Sequence, residues 1–502
     1  MPSVVQCLRQ PGSFERAAAL LVLAFLAVRL VMSAVMPLIA DEAYAVVVTR
    51  FPTLSYFDHP PLGFDFARLS AWLLGSEAPF VVRLPHVLMG SLTAWLIFLV
   101  TRRASGARAG FWAVAAYSTA PFFFVSAAHF VVPDGPLNLF LLVTLWLVLP
   151  DLLEDRPARA GRWLLAGLAL GAALLSKYTA VLFGLGAFLI LATSPRGRRL
   201  LATPWPWLSG AIALACLTPV LVWNARNGWV SLGFQSGRAF GGTLHPLTFL
   251  EIQFGQALFL LPWIWAPAVW MVWRGLFRPQ APAERVFAIL AAIPIALFDA
   301  VSIFGGEQLA HWAMPGFLLA FPLVGLWCAD VAPRALRIGL AGSAGLVGAA
   351  ALIATLQAGS GFVTRALHLP PRPGFDWTIL SWEALAGDFA RRGILADGDS
   401  YLVPVSWLVG GKAGHALGPG FPVAPPVADP RQFAFMDDPR LAARTKGYAV
   451  LAAWPEEARA AAAKLTGGLA DAYLPAGEPW VVTQTRGGQP VFDIVVQPVV
   501  RR

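Results

Sequence analysis

The sequence predicts an all-α polytopic membrane domain of about eleven transmembrane helices, followed by a small α/β domain outside the membrane. Three observations carry this reading. The 502-residue chain is 57% hydrophobic and only 13% charged, with a mean hydropathy of +0.65. Its apolar runs recur at roughly the length a helix needs to cross a hydrocarbon core of about 30 Å. From about Ser360 that pattern stops, and prolines, charges and short alternating runs replace it.

The first apolar stretch, from about Ala17 to Ala40, follows Arg9 and Arg16. It is too long for a signal-peptide core, and Leu38 spoils the small-residue cleavage pattern, so it reads as a retained first helix. Further spans are expected near 82–101, 111–130, 135–150, 163–176, 179–193, 206–223, 249–273, 286–304, 312–330 and 337–357, the first covering 15–38. Only Ser176-Lys177-Tyr178 divides the 163–193 stretch. An odd number of crossings places the two ends of the chain on opposite sides.

Loop charge supports this threading. Taking the N-terminus as inside, the inward loops hold Arg9 and Arg16, Arg102, Arg103 and Arg108, Arg156, Arg159 and Arg162, Arg196, Arg198 and Arg199, Arg274, Arg278 and Arg285, then Arg334 and Arg337. The outward loops before the tail hold Arg50, Arg68, Arg83, Lys177, Arg226 and Arg238. Basic residues favour the cytoplasmic side, and every inward loop obeys. The net charge of +9 is therefore read as topology, not as a nucleic-acid surface. Cys7, Cys216 and Cys328 show no CxxC spacing, so neither a disulfide framework nor a zinc knuckle is indicated. Neither a Walker loop nor a GxGxxG turn is present, and no nucleotide cofactor is expected.

Residues 1–359 form the expected membrane domain and 360–502 the extracytoplasmic one. In the latter, "SYLVPVSWL", "GYAVLAAW", "PWVVTQT" and "VFDIVVQPVV" read as strands, and "SWEALAGDFARRG" and "PEEARAAAAKL" as helices.

The threading puts Asp41, Glu42, Asp58, His59, Asp134, Lys177, His245, Glu307 and His311 outside or at outer helix ends. Charge at a membrane is costly and usually functional. In "ADEAY", neighbouring carboxylates separate each other's pKa values, which suits one for general-base work; a hydrated interfacial pair is the alternative. In "YFDHPPLGF", Pro60 and Pro61 stop a helix and stiffen the chain, so Asp58 and His59 are held to ligate a divalent cation or to grip a phosphate. Asp134 in "FVVPDGPL" reads as a helix cap for span four, as a site carboxylate, or as both, since the two roles are compatible. Lys177 either snorkels or meets an anionic ligand. The loops "WNARNGWVSLGFQSGRAFGGTLHPLTF" and "GGEQLAHW" offer Gln235, Arg238, His245, Glu307, His311 and Trp312, a composition suited to sugar and phosphate but also to any solvated connector.

The order DEAY, YFDHPPL, a PD turn, LSKYTA and WN..NGW resembles bacterial glycosyltransferase family 39-like proteins of the GT-C superfamily, relatives of protein O-mannosyltransferases and the lipid A aminoarabinose transferase. The resemblance covers roughly residues 14–330. It implies a bacterial inner-membrane enzyme taking a sugar from a polyprenyl-phosphate donor at the outer face, among membrane lipids, for a lipid, glycan or protein acceptor. It further implies Asp41 as catalytic base and Asp134 as the acid meeting the sugar region. Read from the residues themselves, Glu42, His59, Lys177, Arg238, Glu307 and His311 are the candidates for donor and phosphate binding; the resemblance adds Asp58 and, by loose alignment, His245 as ligands of a divalent metal. Where the aminoarabinose enzymes carry an arginine three residues after the first-loop Asp and a Lys before Pro-Pro, this chain has Tyr44 and His59. Those cations grip the donor phosphate, so the donor sugar is not named by the motifs. A lipid or sugar transporter or flippase is the other class considered; it predicts mid-membrane sites on broken helices and related halves, whereas the polar groups here cluster at one face.

Overall fold

The computed structural model describes residues 12–155, 157–239, 246–304, 309–330, 334–369, 376–453, 457, 469 and 471–502. The expected architecture is borne out: a helical bundle and a small sheet-containing C-terminal part. The helices used below are α1 Ser13–Val35, α2 Ala40–Val48, α3 Leu62–Leu74, α4 Pro79–Thr119, α5 Asp134–Leu153, α6 Ala160–Leu174, α7 Val181–Thr193, α8 Pro195–Leu201, α9 Trp205–Cys216, α10 Thr218–Arg226, α11 Val230–Ala239, α12 Pro246–Leu260, α13 Pro262–Phe277, α14 Pro282–Phe304, α15 Met314–Asp330, α16 Arg334–Ser360, α17 Glu383–Arg391 and α18 Trp407–Leu417.

Among the described residues, seven helices are long and apolar enough to cross a membrane, or up to nine if each of two bent pairs counts as one span. The 41 residues of α4 would reach about 60 Å, twice the hydrocarbon thickness. Gly106 resolves this by breaking the helix at φ 86°, a conformation that an L side chain resists. The expected spans at 82–101 and 111–130 thus meet at a kink, and the second continues as a π-helical turn at Phe122–Ser126. The expected span at 249–273 is broken within its length: α12 and α13 bend by 112°. Pro262 bars the preceding residue from the helical region, and Leu261 sits at φ 73°.

The chain forms two compact units, the first of residues 1–30, 54–63 and 85–349, the second of 31–53, 64–84 and 350–502. In the first, Phe98, Phe123, Leu141, Leu145, Phe317 and Phe321 centre the core. α15 is buried along nearly its whole length, as a helix apolar on all sides should be.

The second unit contains a five-stranded sheet of β1 Ser400–Pro404, β2 Lys446–Ala453, β3 Tyr473–Pro475, β4 Trp480–Arg486 and β5 Gln489–Arg501. β1 runs parallel to β2, and β2 pairs antiparallel with β5. The long β5 is also paired by β3 near its end and by β4 near its start. Four strands were foreseen; β3 was not. The strand expected over "SYLVPVSWL" ends at Pro404, and Ser406 caps α18, its Oγ accepting from the Val409 N–H. Three glycines make α18 a poor helix by propensity, but close packing demands them, and for Gly411 the neighbour is α2. A Cβ on Gly411 would lie 2.6 Å from the Tyr44 nitrogen. α17 forms within "SWEALAGDFARRG" as expected, while "PEEARAAAAKL" lies almost wholly outside the described residues.

Candidate active site

The first unit gathers most of the predicted ionisable residues. α6 ends at Leu174 and the chain is extended at Lys177 before a single 3-10 turn, so the polar interruption read from the sequence is a real break. Its ammonium, only 13% exposed, donates to Asp134 Oδ1 at 3.0 Å and Oδ2 at 3.1 Å. Asp134 is the first residue of α5, and the cap position is Pro133 with no side-chain bond. The helix-cap reading of Asp134 therefore falls: its carboxylate is committed to Lys177.

The "YFDHPPL" segment is pinned at both ends. The Tyr56 N–H donates to the His59 carbonyl at 3.2 Å, and the Leu62 N–H donates to the Leu175 carbonyl at 2.9 Å, two residues before Lys177. α11 lies along it. Gln235 Nε2 donates to the Asp58 carbonyl at 2.5 Å, and the Phe57 and Phe234 rings meet at 4.8 Å. Tyr178 and Ser231 hydroxyls lie 3.0 Å apart. The Arg238 guanidinium sits over the rings of Phe234 at 5.3 Å and Trp312 at 5.0 Å, which fixes a cation on an aromatic platform. Beside Trp312, the His311 ring stacks on Phe122. Asp58 is buried and His59 half-buried. One unit thus brings together Asp58, His59, Asp134, Lys177, Arg238 and His311, together with Tyr178, Gln235 and Trp312.

Two further candidates, His245 and Glu307, lie outside the described residues. Among the described residues no group of three or more His, Cys, Asp or Glu side chains could hold a metal ion, so the metal reading of Asp58 and His245 stays a proposal.

Asp41 and Glu42 belong to the second unit and have separate environments despite their adjacency. Glu42 is fully buried. It accepts from Arg83 Nε at 2.8 Å and Nη2 at 2.5 Å, and from the Ile39 N–H at 3.0 Å. Arg83 also donates to the Met36 and Pro37 carbonyls at 2.6 and 2.7 Å, and Lys412 Nζ donates to the Leu38 carbonyl at 2.6 Å. These bonds clamp the chain that enters α2. Glu42 is thus held in this clamp, and its expected role in donor binding stays a proposal.

Asp41, one residue earlier, is exposed, but neighbouring protein crowds its carboxyl. That desolvation raises its pKa above the usual carboxylate range; Arg431 opposes the shift and Glu42 adds slightly to it. A raised carboxyl is a stronger base once ionised, which suits proton removal from a hydroxyl. Tyr44, three residues on, faces the tail. Its hydroxyl accepts from the Gln432 N–H at 3.1 Å, and its ring packs on Trp407 and Phe433 at 5.0 and 5.7 Å.

Sequence reasoning missed the tail residues around α2 (Trp407, Lys412, Arg431 and Gln432). Nothing in the local pattern of 400–435 marks them, because their partners lie over 350 residues away. The Arg83–Glu42 pair was visible only as two outward charges.

Residues 58–223 match the family profile described as dolichyl-phosphate-mannose-protein mannosyltransferase. The lipid A galacturonosyltransferase RgtD of Rhizobium johnstonii is 26% identical over 313 residues, 60% of this chain and 62% of that protein. The match therefore spans less than two thirds of that relative's length. The fold is similar to ArnT from Cupriavidus metallidurans, solved in the apo state and bound to undecaprenyl phosphate, with TM-scores of 0.65 and 0.64. Each match covers 95% of this chain and 97% of the other at 18% identity. Helices of this length and apolarity, with that fold, make the chain a membrane-embedded protein.

Proposed function

We propose that this chain is a glycosyltransferase of the GT-C superfamily and moves a sugar from a polyprenyl-phosphate donor to a lipid acceptor, with Asp41 as general base. The observation that carries this is the ion-paired, aromatic-lined cluster of the first unit. Lys177, Arg238 and His59 are cations or potential cations gathered with Asp134, as a phosphate-linked sugar requires.

In this reading Asp41 takes the proton of the acceptor hydroxyl while that oxygen bonds to the sugar C1. The bond from C1 to the phosphate oxygen breaks, and its electron pair leaves with the polyprenyl phosphate. Lys177, Arg238 and His59 stabilise the departing charge, and Asp134 meets the sugar hydroxyls. A carrier lipid needs no nucleotide-binding fold. A lipid acceptor is chosen over glycan or protein because the curated relative is named for lipid A. We place the reaction at the outer face of the bacterial inner membrane, with the C-terminal strands and helices outside. A reporter fused after Arg502 tests that placement: activity confined to the cytoplasm would overturn it.

Purified protein incubated with lipid A and a panel of undecaprenyl-phosphate sugars tests the reaction, read by mass spectrometry. Sugar-bearing acceptor and free undecaprenyl phosphate are expected. Movement of donor across a liposome membrane without turnover would instead establish a transporter.

A further inference from the structure

The C-terminal part of the chain reaches the helix that carries Asp41 and presents an arginine there. The segment Asp429-Pro430-Arg431 is held in an unusual conformation: Asp429 has φ 46° and Arg431 φ 44°. The left-handed region is unfavourable for an L residue, whose Cβ crowds the following carbonyl oxygen. Aspartate tolerates it better than arginine. Such strain persists only where the surroundings over-determine it.

Those surroundings are visible. The Arg431 guanidinium lies over the Trp407 ring at 4.0 Å and its Nε donates to Asp429 Oδ2 at 3.2 Å. The next residue, Gln432, donates its N–H to the Tyr44 hydroxyl at 3.1 Å. Trp407 also packs edge-on against Tyr44 at 5.0 Å. Tyr44 follows Asp41 by three residues, so the two share one face of α2. We propose that Arg431 is a positioning residue for Asp41, a positive charge supplied by the C-terminal part to hold the reacting carboxylate ready. This rests on Asp41 being the base.

Among the described residues, the charged and titratable groups around α2 include Glu42 and Tyr44 on the helix itself, Arg83 from α4, Lys412 and His415 from α18, Arg431 from the tail loop, and Arg50 with Glu77 beyond the end of α2. Arg83 and Lys412 are committed to Glu42 and the backbone before α2. His415 Nε2 lies 3.1 Å from the Glu77 carbonyl. Arg431, held over Trp407 beside Tyr44, adds positive charge that favours ionised Asp41 and opposes the desolvation that raises its pKa. Asp41 also sits in the first turn of α2, where the helix dipole favours negative charge, so Arg431 reinforces a field already present.

The test uses the full chain in nanodiscs, comparing wild type with Arg431→Gln and Arg431→Lys. Isotope-edited infrared titration, with Asp41→Asn as the blank, reads the Asp41 carboxyl directly. In Arg431→Gln the carboxyl should titrate at higher pH than in wild type, and Arg431→Lys should return it most of the way. In turnover assays the acid limb of kcat/KM should move the same way, with a loss of about 10-fold at neutral pH. An unchanged Asp41 titration in Arg431→Gln, with the protein folded by its melting curve, overturns the proposal. An Asp41 titration that responds to Arg431 in a protein inert toward every donor supports the charge coupling but refutes the proposed function.

Discussion

Lys177 spans the break between α6 and α7 to reach both carboxylate oxygens of Asp134, at 3.0 and 3.1 Å. The pair is nearly buried, with side chains 13% and 8% exposed. Removing one partner strands the other's charge away from water, which is more damaging than removing both. Asp134→Asn and Lys177→Met should each lower thermal stability, and the double variant should lose less than their sum. A double-mutant cycle should show a coupling of about 1–3 kcal/mol. Additive losses would mean that the pair is only incidental.

Asp41→Asn keeps the side-chain shape and removes its basicity. Turnover should fall by about 10²–10⁴-fold while the melting curve stays close to that of wild type. Desolvation by neighbouring protein raises the Asp41 carboxyl, and in the proposed role it acts when ionised. Wild-type activity should therefore be lost as pH falls, at a higher pH than for an ordinary carboxylate. Turnover near the wild-type level in Asp41→Asn would sink the assignment.

Glu42 tests the clamp. Glu42→Ala removes the carboxylate that pairs with the buried Arg83 guanidinium, which should cost about 3–5 kcal/mol. Chemical denaturation monitored by tryptophan fluorescence in detergent measures it. Glu42→Gln should cost less, because its carbonyl still accepts from Arg83. If Glu42→Ala were as stable as wild type but lost donor binding, Glu42 would be a ligand of the donor instead.

Metal dependence separates two ways of meeting a leaving phosphate. If Asp58, His59 and His245 hold a divalent cation, exhaustive chelation should abolish transfer and the added ion should restore it. Full activity after chelation rejects the metal and leaves Lys177, Arg238 and protonated His59 to supply the charge. In that case His59→Gln should raise KM for the donor more than it lowers kcat.

Lys412 is buried in α18, and desolvation lowers its pKa to about 7, against the attraction of Glu42. The unfolded chain then binds more protons than the folded one between about pH 7 and the ordinary lysine value of 10.5. Stability from this group rises with pH across that window, and the penalty is complete below it. The melting temperature of Lys412→Met relative to wild type should therefore be most favourable at pH 7 and decline toward pH 10. A difference that does not change with pH would show that Lys412 is not desolvated.

Hydrophobic runs and inward arginines determined the membrane fold, and the order of five motifs pointed to the glycosyltransferases. Both signals are local or additive: a run of about 20 apolar residues favours a span whatever its neighbours do. The break at Lys177 was legible for the same reason, as a polar interruption between two runs. Tertiary structure alone decided which charges meet. Adjacent Asp41 and Glu42 look equivalent in the sequence, yet Glu42 is consumed by Arg83 while Asp41 is left beside Arg431. A glycine-rich stretch reads as a poor helix, yet α18 forms because only glycine lets it approach Tyr44. Electrostatic partnership and close packing depend on segments hundreds of residues apart, and no local period in the chain records them.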